Sequence, residues 1–66
     1  MPNIIIEAAN LTNDKKNNLI TTLTRTASEI TSIPKTSFQV LIKEYPVDNW
    51  GIGGQPLTEI MKKMSH

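Results

Sequence analysis

Few side chains in this sequence have a chemistry of their own. The single histidine, His66, is the last residue, and there is no cysteine. One imidazole cannot build a metal site by itself, and thiolate zinc centres and disulfides both need cysteine. Gly51, Gly53 and Gly54 crowd together, yet no Lys-Ser or Lys-Thr follows them, so they are not a phosphate loop. Their expected use is conformational. Arg25 is the only arginine and falls among polar residues, where a solvated surface charge is the expectation.

Charge and hydropathy exclude several partners. Seven Lys and Arg against six Asp and Glu give a net charge of +1, with no basic stripe for a nucleic acid. No apolar run exceeds three residues, whereas a bilayer needs about 20. No charged segment followed by an apolar one marks an export signal. The expectation is a soluble, cytoplasmic protein that binds neither nucleic acid nor membrane.

At 66 residues and 7.4 kDa the chain makes one small domain. A domain of this size buries only about 60% of its unfolded surface. Disulfides, a structural metal or assembly normally make up the shortfall. The first two lack ligands here, so assembly is expected.

Three elements can position whatever chemistry there is. Pro2-Asn3-Ile4-Ile5-Ile6-Glu7-Ala8 reads as a strand apolar on both faces. Thr12 suits a helix N-cap and Asp14 the positive end of the helix dipole. Leu19, Ile20, Leu23, Ala27 and Ile30 then form one helical stripe, and Pro34 ends the helix, predicted over 13–32. Phe38 to Tyr45 reads as a second strand, with Phe38, Val40, Ile42 and Glu44 on one face and Gln39, Leu41, Lys43 and Tyr45 on the other. The 51–54 glycines predict a tight hairpin. Leu57, Ile60, Met61 and Met64 have helical spacing. The α/β protomer is thus a single β-α-β unit with a short C-terminal hairpin. Its sheet has a helix for one face only, which again points to assembly.

Pro2 directly after Met1, the turn Ile33-Pro34-Lys35-Thr36-Ser37 and the run Asn49-Trp50-Gly51-Ile52-Gly53-Gly54 together resemble the 4-oxalocrotonate tautomerase family. The resemblance spans nearly the whole chain, as one tautomerase domain over 2–66 with Met1 removed. It implies a homohexamer, a trimer of dimers, with active sites between subunits. It also implies keto–enol tautomerisation of a small-molecule substrate without cofactor or metal. The base would be Pro2, whose nitrogen is a secondary amine only when Met1 is gone. On position alone, Pro2 would be a strand-initiating proline. Trp50 matches the family's aromatic that shields the base from water.

Two departures bear on the substrate. The family's arginine before the first helix is absent from Ala9-Asn10-Leu11-Thr12, and its arginine early in the second strand is replaced by Gln39. Both carboxylate grips of a diacid substrate are lost. Lys43, four residues beyond Gln39 on the same face, is the candidate replacement cation, but without the guanidinium fork. A tautomerase acting on something other than the muconate-type diacid is expected. The competing expectations are a non-catalytic binding or assembly protein, and a hydratase or decarboxylase that uses protonated Pro2 as an acid.

Overall fold

The structure, a computed structural model, describes residues 1–64. Strand β1 (Asn3–Ala8) leads to helix α1 (Asn13–Thr31), then a 3-10 turn over Lys35–Ser37 and strand β2 (Gln39–Glu44). A second 3-10 turn, Val47–Asn49, precedes a hairpin of β3 (Gly51–Ile52) and β4 (Gln55–Pro56), and helix α2 (Leu57–Met64) follows. None of the described helices is long and apolar enough to cross a membrane.

Helix α1 starts as its sequence dictates. Thr12 is extended, and its hydroxyl accepts from the Lys15 amide at 3.3 Å. The helix stops one residue short of expectation, because Ser32 turns left-handed at φ 61° while its amide still donates to the Ser28 carbonyl at 2.9 Å. A non-glycine residue there costs about 1–2 kcal/mol. The Ser28 hydroxyl, donating to the Ile33 carbonyl at 2.6 Å, helps to hold the turn.

Strands β1 and β2 pair in parallel, with Asn3 opposite Gln39, Ile5 opposite Leu41 and Glu7 opposite Lys43. Those six residues share one face and are all exposed, whereas Ile4, Ile6, Ala8, Val40 and Ile42 on the other face are half-buried. The residues of β1 are apolar on both faces, but a single helix can cover only one. In the chain by itself only the α1 side is covered, and Ile5 and Leu41 remain 55% and 52% exposed.

The helical stripe also needs correcting. Leu19, Leu23 and Ala27 are half-buried, but Ile30 is exposed, as is Ile20, and Thr22 and Thr24 are half-buried in their stead. Length explains Ile30. A 19-residue helix runs about 28 Å, whereas a six-residue strand covers about 20 Å. The last turn of α1 therefore overhangs the sheet.

One polar tether ties α1 to the far end of β2. Glu44 takes the Lys16 ammonium on Oε1 at 2.7 Å and the Leu11 amide on Oε2 at 2.9 Å. The Lys16 hydrogen bond first, then that of Leu11, holds the Glu44 carboxyl below its ordinary value. A depressed carboxyl adds stability above its unfolded pKa and loses it as pH falls through the folded value. Glu44→Gln is therefore expected to lower the urea midpoint at pH 7. The gap from wild type should close at pH 3, and a gap that persists there would sink this account.

No side chain among the described residues is fully buried. The accessible surface is 5182 Å², against about 4,200 Å² for a compact monomer of this mass. The radius of gyration is 15.5 Å, where about 11 Å is normal for this length. The protomer is elongated, 43 × 23 × 17 Å, and its described residues close no core of their own.

The hairpin turns on Gly53 and Gly54, with φ of 59° and 84°. Two successive positive φ values match a two-residue turn twisted like its strands, and glycine meets them without strain. The Leu57 amide donates to the Trp50 carbonyl at 2.9 Å and closes the hairpin's open end. In α2 the apolar spacing is realised, with Leu57 and Ile60 half-buried and Met61 and Met64 exposed. His66 lies outside the described residues.

Candidate active site

Pro2 sits immediately before β1 and is half-buried. Its carbonyl accepts the Gln39 amide at 3.1 Å, extending the parallel ladder by one bond. That bond brings the start of β2 to Pro2 and puts the Gln39 side chain on the bare sheet face.

Lys43 lies on the same face, about 13 Å farther along β2 at strand rise. Its cross-strand neighbour is Glu7, yet Lys43 makes no ion pair among the described residues. Tyr45 follows on the same side, its amide donating to the Ala8 carbonyl at 2.9 Å. Desolvation, and then the negative charge of Glu7, push the Tyr45 hydroxyl above its ordinary pKa.

Trp50 is positioned by the 3-10 turn before it, through its amide bond to the Val47 carbonyl at 3.1 Å. Its ring meets Tyr45 edge-to-face, with centroids 6.3 Å apart and planes at 72°. The indole Nε1 is shielded from solvent and has no hydrogen-bond acceptor among the described residues.

The four expected site residues thus fall into two groups. Pro2 and Gln39 stand where the strands begin, and Lys43 and Trp50 stand where they end, some 20 Å away for six-residue strands. Parallel pairing dictates this, because Trp50 comes after the far end of β2. One protomer does not bring Pro2 and Trp50 together, so a site that uses both needs a second copy. Sequence reasoning gave no role to Glu7 or Tyr45. Strand parity put Tyr45 beside Lys43, but only the register reveals that Glu7 joins them.

No group of metal-ligating side chains occurs among the described residues. One protomer thus offers a proline at the mouth of a bare sheet face with a neutral amide beside it, and a lysine on the same face toward the other end. The sequence profile described as "Tautomerase enzyme" matches residues 2–60. The chain belongs to the tautomerase family.

Solved structures of tautomerases share its fold. An apo, unfused 4-oxalocrotonate tautomerase is 32% identical with a TM-score of 0.83, the match covering 89% of this chain and 98% of that one. TomN, a 4-oxalocrotonate tautomerase homologue of the tomaymycin biosynthetic pathway, is 25% identical with a TM-score of 0.89, over 97% of this chain and 100% of that one. A heterohexameric 4-oxalocrotonate tautomerase from Chloroflexus aurantiacus J-10-fl, 23% identical with a TM-score of 0.85 over 91% and 98% of the two chains, resembles it in fold. No curated protein sequence matches the chain. Among the tautomerases, then, this one is a β-α-β protomer with an exposed second sheet face, and the match begins at Pro2 and runs into α2.

Proposed function

We propose that this tautomerase-family protein is a cofactor-independent keto–enol isomerase of a small enolisable acid of the 2-oxo or 2-hydroxydienoate type, with Pro2 as general base. The domain comprises residues 2–66 after loss of Met1. Its working form is a homohexamer, a trimer of dimers, with each site between subunits. It works in the cytoplasm on this reading. The observation that carries the reading is the position of Pro2, half-buried at the start of the bare sheet face and bonded to the backbone of Gln39.

The chemistry follows from an unblocked secondary amine. An ordinary α-amino group has a pKa of about 7.7–8.0. Desolvation between subunits and nearby positive charge both disfavour its protonated form and bring it toward working pH. The neutral Pro2 nitrogen takes the proton from the substrate's 2-hydroxyl, whose electrons form the carbonyl as the conjugated double bonds shift. The resulting pyrrolidinium returns the proton to carbon, so no atom or electron is gained or lost. Gln39 offers a neutral amide donor to the 2-oxo oxygen, Lys43 a cation for one carboxylate, and Trp50 a wall against water.

The test is the intact mass of the purified protein together with an NMR titration of the Pro2 nitrogen. A chain lacking Met1 with a Pro2 pKa well below an ordinary α-amino value is expected. Retained Met1 in normally processed material would end the proposal. A free Pro2 with a normal or raised pKa would favour hydratase or decarboxylase chemistry, or a non-catalytic binding role. The missing arginines are what keep that second reading alive.

Gln39 also sets a substrate prediction. Phenylenolpyruvate, a monoacid, is expected to be turned over better than a 2-hydroxymuconate-type diacid. Gln39→Arg is expected to raise kcat/KM on the diacid about 10- to 100-fold, the worth of one charge-assisted hydrogen bond. Steady-state assays of both substrates on both proteins check this, and an unmoved diacid rate would remove Gln39 from the pocket.

A further inference from the structure

The Trp50 ring has an unusual support. A buried indole N–H normally finds an acceptor, but Nε1 has none among the described residues, so within one protomer no side-chain hydrogen bond fixes the ring's angle. What touches it instead is Tyr45, in the only aromatic pair among the described residues. Tyr45 is itself held by its backbone. Its backbone continues the β1–β2 ladder through the Ala8 carbonyl, and its hydroxyl lies near the Glu7 carboxylate. Tyr45 therefore joins the sheet to the loop that carries Trp50, across the break at Pro46 and the Val47–Asn49 turn.

We propose that Tyr45 is a positioning residue, which sets the orientation of the Trp50 ring by the edge-to-face contact and so fixes the wall that keeps water from the reacting centre. The part about the wall rests on the function proposed above; the part about ring placement does not. The geometry favours the aromatic ring over the hydroxyl as the working part, because the ring meets the indole while the hydroxyl faces Glu7. A ring-preserving substitution should then be harmless, and a substitution that preserves only bulk should not.

The sequence provides a clean reporter, since it has one tryptophan and one tyrosine. In the full-length wild-type protein, NMR is expected to show nuclear Overhauser contacts between the Tyr45 and Trp50 ring protons. Tyr45→Leu is expected to shift tryptophan emission to the red and raise acrylamide quenching about twofold, while Tyr45→Phe keeps both at wild-type values. With phenylenolpyruvate, Tyr45→Leu is expected to lose about 2- to 10-fold in kcat, on the scale of one aromatic pair, with KM little changed and Phe restoring the rate.

Absent ring–ring contacts in the wild type would overturn the proposal even if Tyr45→Leu does not fold. So would Tyr45→Leu emission identical to wild type, or a Tyr45→Phe protein that behaves like the leucine variant. Altered emission with unaltered kcat would overturn the wall. A wild-type protein inactive on phenylenolpyruvate but with the expected contacts and emission would count against the function and leave the placement standing.

Discussion

A form of the protein that retains Met1 is expected to turn over phenylenolpyruvate about 10²- to 10⁴-fold more slowly than the processed form, the usual contribution of a positioned general base. With Met1 in place the Pro2 nitrogen is an amide and has no basicity. The methionine's own amine cannot replace it, because consecutive residues put it about 3.8 Å away along the chain. Pro2→Ala, processed in the same way, is expected to fall between the two. Alanine leaves an amine of similar pKa at the same place, but without the ring that limits its rotation. The ranking is checked by steady-state assay of the three forms, with the N-terminus of each confirmed by mass. A Met1-retaining protein as active as the processed one would remove Pro2 from the chemistry altogether.

The second large effect concerns the bare sheet face. Leu41→Asp is expected to abolish assembly and leave a poorly folded chain, seen as a small species in sedimentation velocity with weakened far-ultraviolet dichroism. Fully covering a leucine is worth about 1.5–3 kcal/mol, and a carboxylate trapped there unpaired costs several kcal/mol more. Every copy would carry that penalty. A protomer with no fully buried side chain among its described residues has nothing in reserve to offset it. Leu41→Met, close in volume and still apolar, is expected to assemble normally, at a cost below about 1.5 kcal/mol. Should Leu41→Asp sediment like wild type, the Ile5–Leu41 face would not be the interface.

These two predictions draw on different depths of the sequence. The β-α-β order, the Thr12 cap and the glycine hairpin were legible because each depends on residues close together in the chain. Alternation put Gln39, Leu41 and Lys43 on one face of β2, and the pairing bears this out. The extent of the helical stripe was not legible, because the overhang of Ile30 depends on comparing helix length with strand length. Nor was the Glu7–Tyr45 neighbourhood, since it depends on a register between strands more than thirty positions apart. The separation of Pro2 from Trp50 within one protomer follows from parallel pairing and could have been reasoned from topology. A site that used both would depend on a second copy, which a single chain does not contain.

The parallel register has a further consequence, during synthesis. Asn3 pairs with Gln39, so β1 leaves the ribosome 36 residues ahead of the strand it needs. At about 5–20 residues per second this is a delay of roughly 2–7 s. Throughout it, three consecutive isoleucines wait unpaired, the kind of segment that seeds aggregation. Residues on either side of that run work against this: Pro2, two positions before Ile4, lacks a ladder donor, and Glu7, directly after Ile6, adds a charge. Pro2 and Glu7 thus protect the nascent chain, in addition to whatever they do once it has folded.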